Sequence, residues 1–325
     1  MRGVVRTMLT ALLFAAGMAT GASAQTSDYP NRPIRMYVGF PPGGAADIVA
    51  RTIANALSPR LGQAIIIENK AGTGGNAAGD AVAKADPDGY TLLHGPDNLF
   101  LVNPHLYARM PFDPLKDLTP VSSLAANQLI LAVHPSVQAK TLDEFVALAK
   151  RTKPPLFYAS IGNGSMHHIA MELLKRHLGI DLTHVPYRGG GPAGVALLAG
   201  EVQAMFGGGS LVPMVQSGQV RALAVTGAKR SGVLPDLPTI GERYPGYEVA
   251  IWHGTFAPAG TPKPIIDRLR AEIAAVLELP DVRKRLIASG SGEPYITTLE
   301  EFRDRIRADN AAFGKVIREI GLRIE

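Results

Sequence analysis

Between residues 34 and 40 apolar side chains occupy alternate positions, Ile34, Met36, Val38 and Phe40, with Arg35, Tyr37 and Gly39 between them. A period of two predicts a strand. Pro41 and Pro42 end it, because neither can donate to a ladder, and Gly43-Gly44 allows a tight turn. From Ala46 the period lengthens: Val49, Ile53, Leu57 and Leu61 recur at helical spacing, and Gly62 suits the position past the helix end. A strand therefore feeds a helix start through a loop poor in side chains, where free N–H groups and the helix dipole favour an anion. An ordinary strand-to-helix connection explains the same stretch equally well.

The alternation of strand and helix continues. Residues 64–68, 90–94, 156–160, 183–186, 202–206 and 220–226 read as strands; residues 76–85, 142–151 and 166–178 read as helices. Thr141 and Glu144 form a capping-box pattern. Residues 111–120 look irregular, residues 247–256 extended, and three helical patterns follow Pro264. Short strands alternating with helices call for an α/β fold with parallel sheets covered on both faces. Several turns after strands are rich in glycine, at 43–44, 162–164, 189–191 and 207–209. In open α/β sheets ligands bind beyond the carboxyl ends of the strands, where such turns gather. Two α/β blocks with helices returning at the end suggest two lobes and a cleft: residues 25–124 with 250–325 in the first, and 125–249 in the second.

Composition narrows the function. Arg2 and Arg6, an apolar run over residues 8–19 and Ala22-Ser23-Ala24 make a secretory signal peptide over residues 1–24, cleaved after Ala24. No cysteine follows to anchor a lipid, so a free periplasmic protein is expected. Zero cysteines exclude disulfides, thiolate metal sites and a cysteine nucleophile. The net charge of +5 is scattered, and the short basic clusters at 229–230 and 283–285 lack interleaved aromatics, so no nucleic-acid footprint is read.

Two places in the sequence are candidates for enzyme chemistry. Gly72-x-Gly74-x-x-Ala77 matches a dinucleotide fingerprint, with Asp97 about twenty residues on. However, Asn69-Lys70-Ala71 separates the strand from the first glycine, and no cofactor is expected. Ser165 and Ser210 follow glycines, and His94, His167, His168 and His253 are available, yet no G-x-S-x-G elbow occurs. A hydrolase is the weaker alternative. Adjacent His167 and His168 point to different helix faces, unlike a metal-binding i, i+4 pair, and no metal site is assigned. Asp47 has two readings, a partner for the helix dipole or an acceptor toward a ligand or bridging water.

Several motifs occur in order: Phe40-Pro-Pro-Gly-Gly-x-x-Asp47, Glu68-Asn-Lys-x-Gly-x-Gly-Gly-Asn76, Pro87-Asp-Gly-Tyr-Thr-Leu92, Asn103-Pro-x-Leu-Tyr107, Gly162-Asn-Gly-Ser165, His184-Val-Pro-Tyr-Arg-Gly189 and Ala257-Pro-Ala-Gly-Thr-Pro262. Together they resemble the extracytoplasmic solute receptors of tripartite tricarboxylate transporters, the TctC or Bug family, over nearly all of the chain after the leader. The resemblance implies a bilobal periplasmic-binding fold of the type II class that closes like a flytrap over a small carboxylate. Citrate, dicarboxylates, acidic amino acids and aromatic acids are the expected ligand classes, delivered by a monomer to membrane permease subunits. A sensor presenting its closed form to a signalling partner would use the same fold. Carried over by motif, the ligand contacts are Phe40, Pro42, Gly43, Gly44, Ala46 and Asp47 from the first lobe, and Gly162, Asn163, Gly164, Ser165 and His167 from the second. Pro96, Asp97, Asn98, Gly190, Gly191, Ala193, Gly209 and Ser210 would complete the pocket. The family often has Ser or Thr at 96–98, small residues at 166–168 and Asp near Gly207, and this chain has none of these. The only tryptophan, Trp252, is expected beside the cleft at a hinge, with the other crossing near residues 121–127.

Overall fold

The computed structural model describes residues 29–323, so the leader peptide and its cleavage site lie outside the described residues. Two sheets organise the chain. The first takes β1 (Ile34–Val38), β2 (Ile65–Asn69), β3 (Thr91–Pro96), β4 (Leu118–Gln128), β10 (Ala250–Pro258) and the two-residue β11 (Glu293–Pro294), in the order β11-β4-β10-β3-β1-β2. The second takes β5 (Ile130–Val133), β6 (Leu156–Ser160), β7 (Leu182–Pro186), β8 (Ala204–Gly207) and β9 (Arg221–Val225), in the order β7-β6-β8-β5-β9. Apart from β11 the two sheets share one plan. Three parallel strands lie beside a strand that runs against them, and a fourth closes the far edge; β10 is the antiparallel member of the first sheet and β5 of the second.

Helices cover these sheets: α1 (Ala45–Leu61), α2 (Asn76–Ala83), α3 (Asn98–Leu101) and α4 (Asn103–Leu106) come first. Next are α5 (Leu142–Arg151), α6 (Met166–Leu178), α7 (Gly190–Ala199), α8 (Val212–Gln216) and α9 (Ile240–Arg243). Last come α10 (Lys263–Leu277), α11 (Pro280–Ala288) and α12 (Leu299–Ile320). The alternation in β1 does what its period predicts. Ile34, Met36 and Val38 are fully buried in one cluster with Val49, Ile53 and Leu57 of α1, each burial being worth roughly 1.5–3 kcal/mol. At α5, Thr141 Oγ1 accepts the Glu144 N–H at 3.2 Å, while Glu144 Oε2 accepts the Lys140 N–H at 2.6 Å, one residue before the place a capping box would use.

The sequence reading differs from the structure at the crossings. Residues 118–120, read as irregular, and 121–127, read as a hinge, form one 11-residue strand paired with β10 as far as Gln128 opposite Ala250. Pro120 is tolerated in this strand because β11 covers β4 only at Ala125 and Ala126, so the edge beside Pro120 is unpaired. The chain thus leaves the first sheet at Leu129, beyond the expected boundary after residue 124, and returns at Ala250. Buried Thr226 ties both crossings together. Its Oγ1 accepts the Leu129 N–H at 2.9 Å and donates to the Val249 carbonyl at 2.6 Å, while its backbone bonds Leu129 and Val249 as well. Trp252 does not line a cleft. It is 1% exposed and packs against Phe100, Phe256 and Phe302. Its strand runs between β3 and β4, so the side chain is covered by helices rather than by solvent between lobes.

Candidate functional site

The glycine-rich turns follow the carboxyl ends of β1, β6, β7 and β8, as the position of ligand sites in α/β sheets requires. After β1, residues 41–45 are exposed, and Gly44 starts α1 with no side chain capping it. The φ of Gly44 is −78°, a value open to any residue, so glycine matters there for access to the backbone and not for torsion. Asp47, in the first turn of the helix, is 3% exposed and fully engaged. Its carboxylate accepts the Gly43 N–H at 2.9 Å, Arg51 Nε at 3.0 Å and Asn69 Nδ2 at 2.9 Å, and the same Asn69 amide holds the Phe40 carbonyl at 3.0 Å. Burial pushes its pKa up, but the Arg51, Gly43 and Asn69 hydrogen bonds outweigh burial and the net shift is downward. This role, a buckle across the loop, is one the sequence reading missed. Phe40 lies over Gly75, and Gly39 comes so close to Gly75 that a Cβ would sit 2.6 Å from its Cα.

The turn after β3 is built into the scaffold. Asn98 Nδ2 donates to the Gly74 carbonyl at 2.9 Å, and Asn103 Nδ2 donates to the same oxygen at 3.0 Å and to Asn76 Oδ1 at 2.7 Å. Pro96 and Asp97 are buried. Asp97 Oδ1 accepts the Asn98 N–H at 2.7 Å, Oδ2 has no partner, and burial pushes the carboxyl up to about 8. Beneath the turn His94 Nε2 lies 3.1 Å from His253 Nδ1, both rings buried and both held below the usual imidazole range by that burial.

In the second lobe Ser165 caps α6 by accepting the His168 N–H, and its hydroxyl donates to the Gly162 carbonyl at 2.7 Å. Gly164 is buried, its N–H donates to His168 Nδ1 at 3.2 Å, and Asn163 is exposed. His167 is half-buried, with Nδ1 unpartnered, and burial lowers its pKa to about 4. Gly189, with φ +105°, starts α7 without a side-chain cap; Gly190 and Gly191 are exposed and Ala193 is buried. Gly209 opens a short 3-10 turn and Ser210 is exposed. The lobes meet where Gly164 faces Leu106, where Gly209 faces Gly290, and where Asn127 Nδ2 donates to the Gly290 carbonyl at 3.2 Å. Among the described residues no group of three or more His, Asp or Glu side chains could hold a metal.

Two uncapped helix starts with exposed glycine loops, one in each lobe, can hold an anion through backbone N–H groups. Comparison with known proteins identifies the architecture. The model of the tripartite tricarboxylate transporter family receptor matches residues 49–322. The chain belongs to that receptor family. Protein BugT of Bordetella pertussis is 36% identical over 95% of each chain, and a protein from the tcbD-tcbE intergenic region of Pseudomonas sp. strain P51 is 35% identical over 98% of this chain and 95% of its own. Among solved structures, Rpa4515 of R. palustris with adipate is 35% identical with a TM-score of 0.77, covering 91% of this chain and 100% of its own. MatC of Rhodopseudomonas palustris with bound malate is 34% identical with a TM-score of 0.70, over 89% and 100%. The bilobal periplasmic-binding fold of the receptor family is therefore the fold of this chain. Its structural neighbours are solute-binding proteins. No helix among the described residues is long and apolar enough to cross a membrane.

Proposed function

We propose that this receptor captures a small carboxylate between its lobes in the periplasm and passes it, as a monomer, to the permease subunits of a tripartite tricarboxylate-type transporter. The observation that carries the reading is the pair of helix starts at Gly44 and Gly189. Each lacks a side-chain cap, and each sits behind an exposed turn, in opposite lobes. The similarity to family members solved with adipate and with malate supports a carboxylate as the ligand class. In this reading the amides of Gly44 and Ala46 receive one side of the ligand, the Gly43 amide being held by Asp47, and amides of the turns at 163–167 and 189–191 other than that of Gly164 receive the other. Residues 129–249 then move against the rest of the chain about the Thr226-tied crossings. Asp47 shapes its loop rather than touching the ligand, because its carboxylate is engaged within the protein, and Asn98 is held at its turn by the bond from Nδ2 to the Gly74 carbonyl.

Thermal shift tests this directly. Malate, adipate, citrate, glutamate and benzoate are compared with the corresponding amides. At a thousand times its dissociation constant a ligand adds about 4 kcal/mol, so at least one acid raises the melting temperature by several degrees while its amide does not. Arg188→Ala, at an exposed cation, leaves that shift in place. A response to sugars or cations with none to any acid overturns the reading.

A further inference from the structure

The second-lobe turn rests on a group of side chains to which the proposed ligand contacts assign no role. His168 (6% exposed) and His184 stack ring on ring, with centroids 3.9 Å apart and planes 9° from parallel, and Tyr158 also stacks on His184, at 4.9 Å. His184 Nε2 lies 2.7 Å from Ser160 Oγ, which accepts the Gly162 N–H and donates to the Gly162 carbonyl, each at 3.1 Å. With one hydroxyl proton already directed at that carbonyl, Ser160 is fully satisfied when His184 carries its proton on Nε2. Tyr158 in turn donates to Glu172 at 2.7 Å, and Glu172 pairs with Lys175 at 2.8 Å, so the stack is braced from β6, β7 and α6.

At the other end the constraint is tighter. Gly164 N–H donates to His168 Nδ1, so that nitrogen carries no proton and the ring is the Nε2–H tautomer. The Ser165 cap takes the His168 amide, the third of α6, and leaves the first two, those of Met166 and His167, at the open end of the helix. We propose that His168 is a positioning residue of the anion site. Its bare Nδ1 withdraws the Gly164 amide from the ligand and locks the turn, so that the Asn163, Met166 and His167 amides are the donors this turn offers. The proposal rests on the carboxylate reading above for its ligand, but the lock itself is a property of the ligand-free protein.

Long-range proton–nitrogen correlation on the ligand-free protein reads the tautomer, and exchange of the Gly164 amide reads the lock. His168→Phe keeps the stack on His184 and removes the acceptor; His168→Asn puts Oδ1 near the place of Nδ1. The probe is whichever of malate, adipate, citrate and glutamate gives the largest thermal shift. The expected result is the Nε2–H tautomer in the unaltered protein, with Gly164 exchange and the dissociation constant both rising at least tenfold in His168→Phe. Recovery in His168→Asn to within about threefold completes it, a tenfold step being about 1.4 kcal/mol. A proton on Nδ1, or a His168→Phe protein that binds and exchanges like the original, overturns the proposal. If no acid binds the unaltered protein, the carboxylate reading fails, and the tautomer with the exchange rates alone decides whether His168 positions the turn.

Discussion

Asp97→Asn is expected to stabilise the protein, and to do so more strongly as the pH rises. Asp97 is 2% exposed, with one carboxyl oxygen bonded to the Asn98 amide and the other unpartnered. Burial is the largest influence on its pKa, opposed by the Asn98 amide hydrogen bond; the outcome is a pKa of about 8. In the unfolded chain the same group releases its proton near pH 4. Between those values the folded state binds the extra proton, so stability falls as the pH rises from 4 to 8 and levels off above 8. Four units at about 1.4 kcal/mol each set a ceiling of roughly 5 kcal/mol. Asparagine keeps the acceptor for Asn98, carries no titrating proton, and costs about 1 kcal/mol for its unpartnered amide NH2 group. The net expectation is a gain near zero at pH 5 that grows to about 3–4 kcal/mol at pH 8. Urea unfolding of both proteins at pH 5, 6.5 and 8 measures it. A difference that is the same at all three pH values, or a loss at pH 8, refutes a buried neutral carboxyl at this position.

Two further substitutions test the scaffold. Gly39→Ala places a Cβ 2.6 Å from the Gly75 Cα, which should cost about 1–3 kcal/mol by overpacking; urea unfolding checks the cost, and calorimetry with the responsive acid should show weaker binding as the 41–45 loop is displaced. Thr226→Val, nearly isosteric, leaves the Leu129 N–H and the Val249 carbonyl without the Thr226 hydroxyl, for a loss of about 2–4 kcal/mol; faster amide exchange at Leu129 should accompany it, and unchanged exchange would show that the crossings are held by other bonds.

Much of the fold was legible because its signals are local. The period-two run at Ile34, Met36 and Val38, the helical repeat from Val49 to Leu61 and the glycine after it each report on a few neighbouring residues. So do Ser165 before Met166 and Gly179 after Leu178, and all of these elements stand where the pattern put them. What failed was non-local. Residues 118–127 read as an irregular stretch and a hinge until their pairing with β10 is seen, and Trp252 looks like a hinge residue until α3 and α12 are known to close over it. Within the site the glycine turns were visible, whereas the uses of polar side chains were not. Asp47 could be placed at a helix start, yet its engagement by Asn69, 22 positions away, depends on β1 and β2 lying side by side. His184 and Ser160 likewise meet only because β6 pairs with β7.

The shared plan of the two sheets has a consequence for the order of folding. All five strands of the second sheet fall within residues 130–225, so that sheet can assemble as soon as its own segment is available. The first sheet cannot. Its third and fourth strands touch only through β10, which arrives more than 120 residues after β4 ends. Until then Leu92 and Val121 belong to separate pieces, and the cluster they share with Ala257 is open. Pairing across so long a loop is slow, so the part of the chain synthesised first is the part that closes last, around a lobe already formed inside it.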